Sequence, residues 1–186
     1  MRSKTRCGAR VQQSTMSLLS RLLLYGVVLG TPFVAVAQTK PPGPQASAVE
    51  KLTFEWNDVK RKLTTAAAEF PENKYDYRPT PEVRTFAEQL LHVAFWNTYL
   101  TATAKGEKPD PKPNQLPRDK YKTKQDVVNV LGSSFDDAIQ QLKGKDPERV
   151  QQELRLWTSF LEHCGEHYGQ LVMYYRLNGL VPPESR

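Results

Sequence analysis

The chain has 186 residues, 39% hydrophobic and 10% aromatic, which suits one packed domain with appendages and argues against a disordered chain. Its net charge of +6 suggests nucleic acid, but Arg2, Lys4, Arg6, Arg10 and Arg21 all fall within residues 1–37, a stretch with no acid. The remainder holds 21 basic against 20 acidic residues, so no basic field is left to condense on phosphates and nucleic acid is excluded as a partner.

Residues 1–37 read as a secretory signal peptide. Arg21 precedes the apolar run Leu22-Leu23-Leu24-Tyr25-Gly26-Val27-Val28-Leu29, and Ala35-Val36-Ala37 supplies a small-x-small cleavage pattern before Gln38. The run is short for a membrane span and is interrupted by Gly30 and Pro32, so no stable span is expected after cleavage. The alternative is an uncleaved N-terminal anchor, and Met16 is an alternative start. An exported protein, periplasmic or secreted, is the expectation. Cys7 leaves with the signal, so Cys164 has no partner for an internal disulfide and the fold must rest on its core.

Residues 38–47, with Pro41-Pro42-Gly43-Pro44, form an extended linker. The domain proper is expected over 48–186. Its first helix runs from about Ala48 to Phe70, where Leu52, Trp56, Val59, Leu63 and Ala67 recur at three- and four-residue steps, and Pro71 stops it. After a proline-punctuated connection, Thr85-x-x-Glu88 forms a capping box that opens a second helix ending near Ala104 and Gly106. Pro109, Pro111, Pro113 and Pro117 make Glu107–Lys122 a long crossover. Thr123 caps a third helix with the stripe Val127, Leu131, Phe135, Ala138 and Leu142, ended by Gly144. A linker containing Pro147 leads to the last helix, roughly Leu154 to Leu177, closed by Asn178-Gly179. The pattern predicts an all-α fold, a four-helix bundle with one long crossover.

The chain has only three histidines. His163 and His167 stand four apart on the last helix, on a face shared with Leu156, Phe160, Leu171 and Tyr174. His92 lies on the second helix, one turn from Gln89 and Trp96. One imidazole from one helix and two from another can close three corners around zinc or a similar cation and leave a position for water or substrate. Spacing alone also admits half-buried histidines bonded to their neighbours. His163-Cys-Gly-Glu-His167 matches the inverted zinc-protease pattern as well, but only 19 residues follow His167 and Glu166 falls on the side away from the apolar stripe, so a solvated glutamate is expected there. Cys164 is expected to pack near Phe160 and Leu171 rather than to bind metal.

Three stretches resemble the DinB-like superfamily of metal-dependent four-helix-bundle proteins. Phe86-Ala-Glu-Gln-Leu-Leu-His92-Val-Ala-Phe-Trp-Asn97 is similar to the family's second helix with its first histidine. His163-x-x-x-His167-Tyr-Gly-Gln170 resembles its H-x-x-x-H-x-G-Q signature, and Tyr175–Pro183 resembles its C-terminal ending. The resemblance spans residues 50–186. It implies that His92, His163 and His167 hold a divalent metal ion (nickel, zinc or iron), and that Gln170 and Tyr174 stand behind the ligands or line a pocket. It further implies a small-molecule substrate and a metal-dependent thiol transferase or hydrolase. The alternative is a non-catalytic metal- or ligand-binding module of the periplasm. Glu166 and Tyr168 stand where relatives often carry histidine and arginine. Substrate identity and dimerisation are left open by the sequence.

Overall fold

The computed structural model describes residues 46–186; residues 1–37, read above as a signal peptide, and nearly all of the expected 38–47 linker lie outside them. The described residues are all-helical, with no strand: α1 (Ala48–Glu69), α2 (Phe86–Ala104), α3 (Lys124–Lys143), α4 (Pro147–Gln152) and α5 (Leu154–Leu177), plus 3-10 turns at Glu72–Lys74 and Pro183–Ser185. None of these helices is long and apolar enough to cross a membrane.

The helices start where side chains satisfy their first amides. Ser47, Thr85 and Thr123 each complete a reciprocal capping box, with Glu50, Glu88 and Asp126 respectively, each cap worth about 1 kcal/mol. α2 and α5 end in the left-handed region at Gly106 (φ 87°) and Gly179 (φ 69°). In both, the next residue's amide returns to the third-last helical carbonyl, Glu107 to Ala102 and Leu180 to Tyr175, which closes the helix with a Schellman turn. α4 corrects the sequence reading, which left this segment as linker. Asp146 accepts from the Glu148 amide at 2.8 Å and Pro147 occupies the first helical position, a combination that starts a helix even when only six residues follow.

α1 packs against α3 and α5, and α2 packs against the same two helices, so the four long helices ring a shared core with α1 and α2 on one diagonal. The end of α1 and the start of α2 meet at Phe70 and Phe86, whose rings stack at 3.8 Å. Tyr175 near the end of α5 joins them, and its hydroxyl donates to the Ala66 carbonyl at 2.7 Å. α3 begins at the same end, where Lys124 Nζ donates to the Phe70 carbonyl at 2.9 Å. α2 therefore runs parallel to α3 and antiparallel to α5, and the chain must travel back along the molecule between α2 and α3.

That return path covers α2. Leu116 donates its amide to the Leu91 carbonyl at 3.3 Å, and Gln115 reaches Arg84. Consequently α2 is buried on most of its circumference from Phe86 to Ala94, whereas α1 and α3 bury one stripe each. The stripes read from the sequence on α1 and α3 are the buried ones. On α5 the centre of the buried face is Trp157, Cys164, His167, Leu171, Tyr174 and Tyr175; Leu156, Phe160 and His163 lie at its half-buried edge. The histidine pair thus straddles the rim of the core.

Candidate metal centre

The antiparallel pairing of α2 and α5 sets His92 opposite His163 and His167, the grouped arrangement that spacing left as one of two readings. The Nε2 atom of His163 lies 3.0 Å from that of His92 and 3.1 Å from that of His167. The three rings offer ligand atoms that all fall within 4.8 Å of one another, and no other such group occurs among the described residues.

The far side of two of the rings is fixed. His92 Nδ1 donates to the Asn114 carbonyl, and His167 Nδ1 donates to Gln89 Oε1 at 2.8 Å. With their protons held at Nδ1, both rings turn a lone pair at Nε2 toward His163. A single proton on His163 Nε2 satisfies only one of these neighbours, so one close nitrogen pair stays lone pair against lone pair. A cation relieves that repulsion. Nitrogens at about 2.0–2.1 Å from a shared zinc-like ion and 3.0–3.1 Å apart subtend about 95° at it, within the range of first-row divalent ions. His163 Nδ1 is buried and without a partner among the described residues. This is the one ligand whose tautomer the protein leaves free.

The electrostatics keep the rings neutral. Burial is the main cause that pulls His92 down to about 4, and it pulls His167 down to about 3 with help from His163, His92 and Arg84. His163 is lowered by burial and then by Arg84. Neutral imidazole is the form that binds a metal, and it is the form present at neutral pH.

Asn114 is the residue sequence reading missed most completely. It sits among the crossover prolines with φ 57°, the one non-glycine at positive φ among the described residues. Asparagine tolerates this conformation better than most residues. Its carbonyl takes the His92 proton, and its side-chain oxygen accepts from Trp96 Nε1 at 3.0 Å. Nothing in the local sequence announced this, because the partners are 22 and 18 residues away. Gln89 left a clue, a polar residue three before His92 and followed by two leucines, yet 5% exposed.

The remaining candidates fall as follows. Gln170 is exposed and lines a cavity of about 520 Å³ together with Arg78, Arg84, Glu88, Gln89 and Gln115. Tyr174 is buried and its hydroxyl donates to the Arg84 carbonyl, so it holds the entry to α2. Tyr174 makes no hydrogen bond to the imidazoles, whereas the Gln170 side chain bonds to His167, the smallest of the influences on that ring and one that opposes burial. Glu166 is exposed. Cys164 is fully buried, and its thiol donates to Asn97 Oδ1 at 3.4 Å and is pushed up by burial, which makes it a core group. On the other flank, Trp96, Ser159, Phe160 and His163 enclose an apolar hollow of about 260 Å³.

A profile of the DinB superfamily matches residues 55–171, which include all three histidines. The chain belongs to the DinB superfamily. No curated protein and no solved structure matches it. Membership accounts for the helical fold and for a histidine group able to hold a metal ion, while a reaction has to be argued from the site itself.

Proposed function

We propose that this DinB-superfamily protein is an exported metal-dependent enzyme, a four-helix bundle in which His92, His163 and His167 bind one divalent cation, nickel, zinc or iron. The observation that carries this reading is the convergence of three Nε2 atoms at 3.0 and 3.1 Å while Asn114 and Gln89 fix the Nδ1 protons of two rings. Packing histidines without a ligand have no need for such convergence.

Three protein ligands leave room in the coordination shell, and a bound cation supplies Lewis acidity and lowers the pKa of a coordinated water or thiol. The chain's own groups do the rest. Gln89 and the Asn114 carbonyl orient two imidazoles, burial keeps all three unprotonated, and Trp96 and Phe160 give His163 an apolar flank on one side. A cavity of about 520 Å³ behind Gln89 has the size of a small-molecule site, and the apolar hollow at His163 leaves one histidine edge open, which together support an enzyme over a closed binding module. A transferase acting on a small thiol or a hydrolase using water fits this arrangement. Export rests on Arg21, the apolar run that follows it and Ala35-Val36-Ala37.

Elemental analysis of the purified mature protein beside His163→Ala tests the metal reading. About one equivalent of nickel, zinc or iron in the parent, lost in the variant, supports it. Protein that carries no metal and cannot be loaded overturns it. N-terminal sequencing of exported protein tests the cleavage, with Gln38 expected first.

A further inference from the structure

The cavity lined by Gln89, which separates it from His167, has an unusual charge balance. Its wall carries two arginines and two glutamates. Arg78 is paired with Glu88 at 3.2 Å, and that carboxylate also accepts the Thr85 amide at 2.7 Å, so both groups are committed. Glu82 is exposed at the rim. Arg84 is different: among the described residues it has no carboxylate partner, and its side chain makes one hydrogen bond, from Nε to Gln115 Oε1 at 3.0 Å. The bond fixes the guanidinium and leaves its Nη donors unused. Arg84 is half-buried, and its charge bears on all three imidazoles, lowering each of them.

Arg84 and the metal centre are also built into one framework. Gln89 lines the cavity with one side and holds His167 with the other. Gln115 holds Arg84, and the preceding residue, Asn114, holds His92. Tyr174 of α5 ties down the Arg84 backbone. An unpaired arginine held this firmly against a pocket serves as a ligand-binding group, because a guanidinium fork matches a carboxylate. Surface arginines without a task are free to move.

We propose that Arg84 binds the carboxylate of the substrate, a small monoanionic molecule whose other end reaches the three-histidine centre. The inference rests on the metal reading for that other end, and on the cavity alone for the carboxylate. A monoanion is favoured over a phosphate dianion because Glu82 and Glu88 share the wall and repel a second negative charge. The half that does not contact Arg84 carries the reacting group.

The test uses the purified chain loaded with cobalt(II), whose visible spectrum reports thiolate binding without any turnover. Mercaptoacetate, mercaptopropionate and mercaptobutyrate, a series of increasing arm length, are titrated beside the neutral thiol mercaptoethanol. At least one acid is expected to bind about tenfold or more tightly than mercaptoethanol, the scale of one charge-assisted hydrogen bond. In Arg84→Gln that preference vanishes, so that the acids bind no more tightly than mercaptoethanol does to the same variant. In Arg78→Gln the preference persists. Equal affinities in the parent protein, or a preference that survives Arg84→Gln, overturn the proposal. Should the protein take up no cobalt, the metal reading fails by itself. The carboxylate site is then decided on metal-free protein by titrating propionate against the Arg84 Nε–H resonance: a saturable shift, absent for propanol, upholds it, and no shift sinks it.

Discussion

Replacing Gln89 by leucine removes the acceptor of the His167 Nδ1 proton while keeping a side chain of similar size in a site that is 5% exposed. A buried N–H left without an acceptor costs about 1–3 kcal/mol. The cost falls unequally on the two states of the protein. In the metal-free state no cation pins the ring at Nε2, so it can turn to relieve the unpaired donor. In the loaded state Nε2 is occupied by the cation, so the proton stays at Nδ1 with nothing to receive it. The penalty therefore appears as lost metal affinity, about 5–150-fold by conversion of 1–3 kcal/mol, in line with the 10–100-fold typical for a removed outer partner. Gln89→Glu supplies a stronger acceptor and is expected to bind metal at least as tightly as the parent. Competition with a chromophoric chelator measures the affinities, and urea midpoints without metal measure stability. The reasoning is refuted if Gln89→Leu keeps the parent affinity, or if its whole loss appears in the metal-free protein.

Further outcomes follow from the same geometry. Metal-free protein should lose stability on acidification between about pH 6.5 and 4.5. There the unfolded chain protonates its histidines while folded His92 and His167, at about 4 and 3, do not, so the unfolded state binds more protons. The slope approaches about 1.4 kcal/mol per pH unit for each histidine, and His167→Gln should flatten it in pH-dependent urea titrations. Asn114→Ala should cost about 1–2 kcal/mol from the left-handed backbone alone, on top of the lost Trp96 bond. Asn114→Gly should recover the first part only, as read from denaturant midpoints. Cys164 should resist a water-soluble thiol reagent in native protein and react fully after denaturation, because it is fully buried and its thiol is held protonated; fast native labelling would contradict the packing described.

Much was legible in the chain by itself, for local reasons. Capping residues, the prolines at 71 and 109–117 and the glycines at 106 and 179 act within one or two turns, so they placed the long helices to within a residue or two. The apolar stripes of α1 and α3 were equally readable, because each of these helices buries a single face and periodicity records it. The i,i+4 spacing of His163 and His167 fixed them on one side of a helix before any packing was known. α4 escaped because a six-residue helix is too short to show a period, although Asp146-Pro147 carried its start.

What the sequence could not supply is whatever depends on the crossover lying over α2. That path buries both sides of the helix, so α2 has no clean stripe and His92 gave little sign of its environment. It brings Asn114 to His92 and Gln115 to Arg84, contacts separated by 22 and 31 residues along the chain with no periodic mark. The chain alone determined which residues could bind a metal: three imidazoles on two helices. The tertiary structure decided the tautomers of His92 and His167, the neutrality of the rings and the unpaired arginine near them, because these depend on burial and on partners that only the packed chain brings together.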